Sequence, residues 1–192
     1  RPLKTEDCGT TPVGRVSVEL GIEAENSSQG TSARTIGYVF NTGLTDRMDA
    51  GFELPFRSIN SDGAARGFGD IALRMKYLLA GNSDSQTQLL AKLMSTIPTG
   101  DSELELGSGQ SDAGGFLVLT ASSGDFSAHF NAGYVSSSGF LGAGFQRAFG
   151  MSTAVLWELT YEPVPDSGAD ALNGTLGAAY GLSYKVVWDI AL

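Results

Sequence analysis

The stretch from Gly69 to Gly100, GDIALRMKYLLAGNSDSQTQLLAKLMSTIPTG, alternates residue by residue between two kinds of side chain. Ile71, Leu73, Met75, Tyr77 and Leu79 share one parity, and Asp70, Ala72, Arg74, Lys76 and Leu78 share the other. Successive side chains of a strand point to opposite faces, so the pattern predicts one apolar face and one charged face. The polar cluster Gly81-Asn82-Ser83-Asp84-Ser85 turns the chain, and a second alternating arm carries Lys92 between Ala91 and Leu93 as far as Pro98. Proline lacks the N–H a ladder needs and suits a strand end. The reading is a hairpin of two amphipathic strands. In a soluble sandwich the apolar face packs inward. In a membrane barrel it meets lipid, and the charged face lines the lumen.

The same period runs through the chain. Val16, Val18, Leu20 and Ile22 oppose Arg15, Ser17, Glu19, Gly21 and Glu23, and Phe52, Leu54 and Phe56 oppose Asp49, Gly51, Glu53 and Arg57. Near the C-terminal end, Val155, Trp157, Leu159 and Tyr161 oppose Glu158, Thr160 and Glu162. Eleven strands can be counted, and no window has the i, i+3, i+4 recurrence of a helix. Residues 1–12 (RPLKTEDCGTTP) have no period and read as a tail or a plug-like segment ahead of a single domain at 13–192. Links near 44–47, 80–85, 122–125, 149–151 and 182–184 are short. Those near 26–33, 58–68, 98–112 and 163–170 are long, with 136–139 the short exception. Short turns at one end and long loops at the other mark an outer-membrane barrel, whereas Greek-key crossings mix their lengths.

The opposing registers sort the candidate residues. Tyr38, Phe40, Phe52, Phe56, Tyr77, Tyr134, Trp157, Tyr161, Tyr180 and Trp188 are candidates for an aromatic girdle at the headgroups, with Phe130 and Phe145 in the same register. Glu19, Glu23, Glu53, Arg57, Asp70, Arg74, Lys76, Lys92, His129, Glu158, Glu162, Lys185 and Asp189 are candidates to line a lumen, together with Asn131 and Gln146. A dry core has no means of holding that set, because each unpaired buried charge costs several kcal/mol. The expected fold is all-β: an up-and-down antiparallel transmembrane β-barrel of about twelve strands, eleven of them visible and the last missing.

Composition agrees. Glycine takes 26 of 192 positions and charged residues only 17%, against a usual charged share of about a quarter. A net charge of -9 repels nucleic acid. No apolar run is long enough for a transmembrane helix. No signal peptide is visible at Arg1-Pro2-Leu3-Lys4, which fits a mature exported chain with its signal removed, or a cytosolic one. Cys8 is the lone cysteine and reads as an unpaired thiol in a flexible terminal segment.

Motifs for chemistry are weak. His129 is the one histidine, which excludes a multi-histidine metal site, and with no nucleophile motif it reads as a solvated lumen side chain rather than part of a triad. The acidic loop at 101–107 and the link PDSGAD lack the spacing of a calcium loop. Gly107-Ser108-Gly109 has no strand-to-helix context for phosphate. Asn26-Ser27-Ser28 and Asn173-Gly174-Thr175 match glycosylation sequons, which mean little in a bacterial envelope protein. No catalytic residue, cofactor or metal is expected.

Three segments resemble a known family. Gly69-Asp70 with Lys76-Tyr77, Lys92 with Pro98-Thr99-Gly100, and Gly107-Ser108-Gly109 are similar to motifs of the outer-membrane transporter family linked to phenol-degradation (MetA) pathways. The opening RPLKTEDCGTTPVGRVSVELGIE also resembles that family's N-terminal segment, with Cys8 in place of its usual small residue. The resemblance implies a small barrel of the bacterial outer membrane passing small molecules, with no catalytic residues to carry over. The expected partners are outer-membrane lipids and a small, apolar or aromatic solute, with an oligomer or other envelope components also open. A barrel of about twelve strands is wider than an eight-stranded one filled by its side chains and narrower than a porin of roughly sixteen. Selective conduction and simple bracing of the wall both fit its charges. The alternatives are a non-conducting barrel scaffold and a soluble ligand-binding β-barrel.

Overall fold

The computed structural model describes residues 3–26, 32–60, 64–135, 138–163, 170–183 and 186–191. Lys185, positions 27 and 28 of the first sequon and most of the 163–170 link fall outside them. The strands are β1 (Val16–Asn26), β2 (Ser32–Thr45), β3 (Met48–Asn60), β4 (Ala64–Phe68), β5 (Ile71–Ala80) and β6 (Thr87–Ile97). They continue as β7 (Asp112–Ser123), β8 (Phe126–Val135), β9 (Ser138–Phe149), β10 (Thr153–Pro163), β11 (Asp170–Ser183) and β12 (Val186–Ala191). There is no helix among the described residues. The strands form one antiparallel sheet in the order β1-β2-β3-β5-β6-β7-β8-β9-β10-β11-β12, with β4 paired to β3 beside that path. The eleven strands expected from periodicity all form. The twelfth is β4, inside the link 58–68, where an irregular loop was expected. It is recruited by pairing Phe56 with Phe68, whose rings meet edge to face at 5.3 Å.

Sidedness decides the packing. On β1 the apolar residues Val16, Val18, Leu20 and Ile22 are all exposed, Leu20 by 65%. On β5, Leu73, Met75, Tyr77 and Leu79 are exposed while Lys76 is 7% exposed. On β10, Leu159 is exposed and Glu158 is 3% exposed. The apolar register faces out, and the polar register is covered. Among the described residues the buried apolar side chains are Cys8, Ile59, Leu78, Leu90, Leu106, Val118 and Ala128.

The chain divides into two compact units. One comprises residues 10–76 and 93–113; the other comprises 1–9, 77–92 and 114–192. In the first, the covered face carries an Arg74–Glu53 ion pair at 3.2 Å and a hydrogen bond from Asn41 Nδ2 to Glu19. Its long link, 98–111, is folded rather than loose. Asp70 accepts hydrogen bonds from the backbone N–H groups of Gly100 and Ser108 and from the Ser108 hydroxyl, at 2.7–2.9 Å. Glu105 takes a left-handed φ of 58°, a conformation few non-glycine residues adopt. This turns Leu106 inward to 4% exposure, against the positions of Gly67 and Gly69. Arg57 Nη1 then donates to the Glu105 and Leu106 carbonyls.

Gly107 has no room for a side chain. A Cβ there would strike the Asp70 carboxylate and come within 2.8 Å of Gly100 Cα. The three glycine-rich segments that suggested a family thus converge on one place, with Asp70 as their common anchor. Asp70, a lumen candidate by parity, clamps this loop at the foot of β5.

Slight burial pushes the Asp70 carboxyl up, but the donors of Ser108, Gly100 and Thr99 outweigh it and hold it below its ordinary 3.8. A carboxylate held low contributes stability that is complete above pH 3.8 and lost as pH falls through the lowered value. Protection of the amides of residues 100–108, relative to their intrinsic exchange rates, is therefore expected to be full at pH 5–7 and to fall locally only as pH drops below 3.8. Asp70→Asn should give the low protection at neutral pH. Equal exchange in both proteins would show that Asp70 does not hold the loop.

Candidate functional site

The second unit places polar side chains in rows across its strands. Pairing aligns Thr120 with His129, His129 with Gly144, and Gly144 with Glu158. The next row aligns Val118, Asn131, Gly142 and Thr160. Two glycines on β9 therefore leave a trough between the taller side chains of β8 and β10. Thr5 lies over these glycines, and residues 4–8 run from there along the polar rows toward Thr120 and Val118.

The seating uses backbone as well as side chains. The Glu158 carboxylate accepts the N–H groups of Lys4 and Thr5 at 2.9 and 2.8 Å, one on each oxygen. Asn131 brackets Glu6, with Oδ1 accepting its N–H and Nδ2 donating to its carbonyl. The Glu6 side chain reaches Lys92 Nζ at 2.6 Å, with the two side chains only 15% and 12% exposed. Lys4 Nζ pairs with Glu162 at 2.8 Å where both are wetter. Thr5 sits over Gly144, where any Cβ would collide with it.

Cys8 ends this run. Its N–H donates to Thr120 Oγ1, and its thiol reaches the carbonyls of Val118 and Gln88. Leu78, Leu90 and Val118 pack around it, with Phe116 beside them. Cys8 is 2% exposed, so the expectation of a thiol in a flexible tail is overturned. Burying a small apolar side chain against three aliphatic ones offsets the ordering of the segment. In the other unit, residues 10–15 are held similarly: Thr11 N–H donates to Asp49, and Val13 bridges to Gly43.

The candidate residues divide accordingly. Lys92, Glu158 and Glu162 hold residues 4–6. His129 is half-buried, with Nδ1 3.0 Å from Thr120 Oγ1, not simply solvated. Glu19, Glu53, Arg57 and Arg74 brace their own unit, and Lys76 is buried. Glu23 and Asp189, which belong to the same polar register, are exposed. They lie on β1 and β12, where few neighbouring strands shield either side.

Of the aromatic candidates, Tyr38, Phe52, Tyr77, Tyr134, Tyr161, Tyr180 and Trp188 are exposed. Phe40 and Trp157 are half-covered by stacking on Phe52 and Phe145, and Phe56 by the edge-to-face contact with Phe68. The periodicity missed the buried patch of Leu78, Leu90 and Val118, which shares the polar register. Its one available signal was the aliphatic residues interrupting the polar parity at those positions. No group of metal-binding side chains occurs among the described residues. No protein-family model matches the chain, and no curated protein matches it significantly.

Gly144→Val should unseat residues 3–9 by clashing with Thr5, speeding alkylation of Cys8 by a neutral thiol reagent by about tenfold or more. Gly139→Ala is the control, because a Cβ there meets nothing closer than 3.8 Å. Equal labelling rates in the two variants would show that the glycine trough does not govern the seat.

Proposed function

We propose that the chain is a β-barrel channel of the bacterial outer membrane that passes small solutes, with residues 3–9 folded into its bore as an internal plug. The observation that carries this reading is the inverted sidedness of the strands. Aliphatic and aromatic side chains face outward on strand after strand, while Glu158, Lys76, Lys92 and Asn131 are covered. Soluble monomers rarely expose contiguous apolar area beyond a few hundred Å², and hydrocarbon is the solvent that suits such a face. Strands of ten to fourteen residues are long enough to cross it, which takes about 9–11 tilted residues. Closure of the sheet belongs to the proposal, since a spanning sheet with an open edge leaves backbone groups unsatisfied in lipid. The resemblance of the three glycine-rich segments to the phenol-degradation (MetA) transporter family points the same way. The lipids of that membrane are the expected partners, and the reading assigns no catalytic residue.

A second reading has its own support. Glu158, Asn131, Thr120 and Lys92 are all engaged by residues 4–8, as in a barrel that stays shut and serves as a scaffold. Planar-bilayer recording separates the two. The channel reading expects discrete conductance from the full chain and a larger or more frequent one from Gly144→Val. Silence from both folded proteins favours the scaffold.

Sidedness has its own check. Leu159→Arg should destabilise the protein in lipid vesicles by about 2–4 kcal/mol if that position lies near the bilayer midplane, measured by urea unfolding. A protein that extracts into detergent-free buffer and tolerates this change would sink both membrane readings.

A further inference from the structure

We propose that Arg34 and Arg66 form a binding site for the phosphate of a membrane lipid, on the outward face of the sheet at its long-link end. The proposal rests on the membrane reading of the chain and names the lipid chemistry that this surface selects. It does not depend on conduction.

Three observations lead to it. The first is the register. Pairing aligns Arg34 of β2 with Ser58 of β3, and Ser58 with Arg66 of β4. The three share the parity of Tyr38, Phe52 and Phe68, which face outward, and both arginines are exposed. Neighbouring strands lie about 4.8 Å apart, so the two arginine Cα atoms are about 10 Å apart. Two extended arginine side chains close that gap on one small anion. The second observation is charge. In the unit of residues 10–76 and 93–113, Arg34 and Arg66 are the charged side chains of the strands' outward register among the described residues, in a chain of net charge -9. Among those residues neither guanidinium meets a carboxylate. Two planar forks with unused donors match the oxygens of a phosphate, and a doubly charged phosphomonoester matches both cations.

The third observation is what lies beneath. The next outward row is Ile36, Phe56 and Phe68, with Phe68 55% exposed. An acyl chain descending from the phosphate lies along this row, which a free inorganic anion cannot use. Between Arg34 and the short turn that ends β2, residues 35–44 carry no charge. A tilted strand of about 9–11 residues crosses the hydrocarbon, so the arginine row stands at its boundary, level with headgroups.

An arginine at a strand end can also reach water simply by extending along the wall. That behaviour alone favours no headgroup over another. A phosphate site does, and headgroup selectivity is what separates the two.

The test puts a reporter on the apolar row. The full-length chain carrying Trp157→Phe, Trp188→Phe and Phe68→Trp keeps one tryptophan, next to Phe56, and is reconstituted into phosphatidylcholine vesicles. Lipids with brominated chains quench that tryptophan when they lie against it. Brominated phosphatidic acid, a phosphomonoester, should bind there about fivefold or more tighter than brominated phosphatidylcholine with the same chains. Adding Arg34→Gln and Arg66→Gln should bring the ratio to about one. Arg34→Lys with Arg66→Lys keeps both charges without the forks and should lose about half of the preference or more. Inorganic phosphate at the same concentration as the phosphatidic acid should leave the ratio unchanged. If the glutamine pair does not fold, the lysine pair decides. Equal quenching by the two lipids, a preference that survives the arginine replacements, or one erased by inorganic phosphate would overturn the site. Equal quenching leaves the membrane reading standing, whereas no quenching by any lipid sinks that reading and the site with it.

Discussion

A β-strand commits every side chain to one of two faces, and that constraint organises this molecule. Once backbone N–H and C=O groups are paired between neighbours, the remaining choice is which parity meets solvent. Here the aliphatic and aromatic parity faces out, and the parity holding Glu53, Arg74, Lys76, Lys92, Asn131 and Glu158 is covered. Covering charge demands partners, because an unpaired buried ion is far more costly than an exposed one. Much of the remaining structure supplies those partners.

In one unit the sheet and the folded link answer the demand. Arg74 meets Glu53, Arg57 is capped by loop carbonyls, and Asp70 gathers the donors of the 98–111 link. In the other unit the answer comes from the chain's own beginning. Residues 4–6 present N–H groups to the Glu158 carboxylate and a carboxylate to the Lys92 ammonium, and Cys8 fills a small aliphatic patch. Short-range charge pairing fixes the position of this segment, and the Gly142–Gly144 trough gives it room. The segment therefore covers polar side chains of the strands that are otherwise open to solvent.

Much of the fold was legible because strand periodicity is local. The alternation of Ile71 through Leu79 and of Val155 through Glu162 needs no knowledge of neighbours, and the strands appear where it places them. The short strand at 64–68 was hidden because it owes its form to Phe68 meeting Phe56 across the ladder, a contact invisible in a window of five residues. Cys8 was misread for a related reason. Nothing near it in sequence signals burial, because Leu78, Leu90 and Val118 lie between 70 and 110 residues away along the chain. Asp70 had the right parity for a covered charge, but its position one residue before β5 made it a loop anchor.

The sequence by itself determined the all-β architecture, the order of turns and the separation of side chains into an apolar and a charged register, because parity along a strand is written residue by residue. Tertiary structure decided which register is covered, which strand residues the opening segment lies against, and which of the candidate charges are paired there. Those outcomes depend on distances between side chains far apart in the chain, and no period in a linear string encodes them.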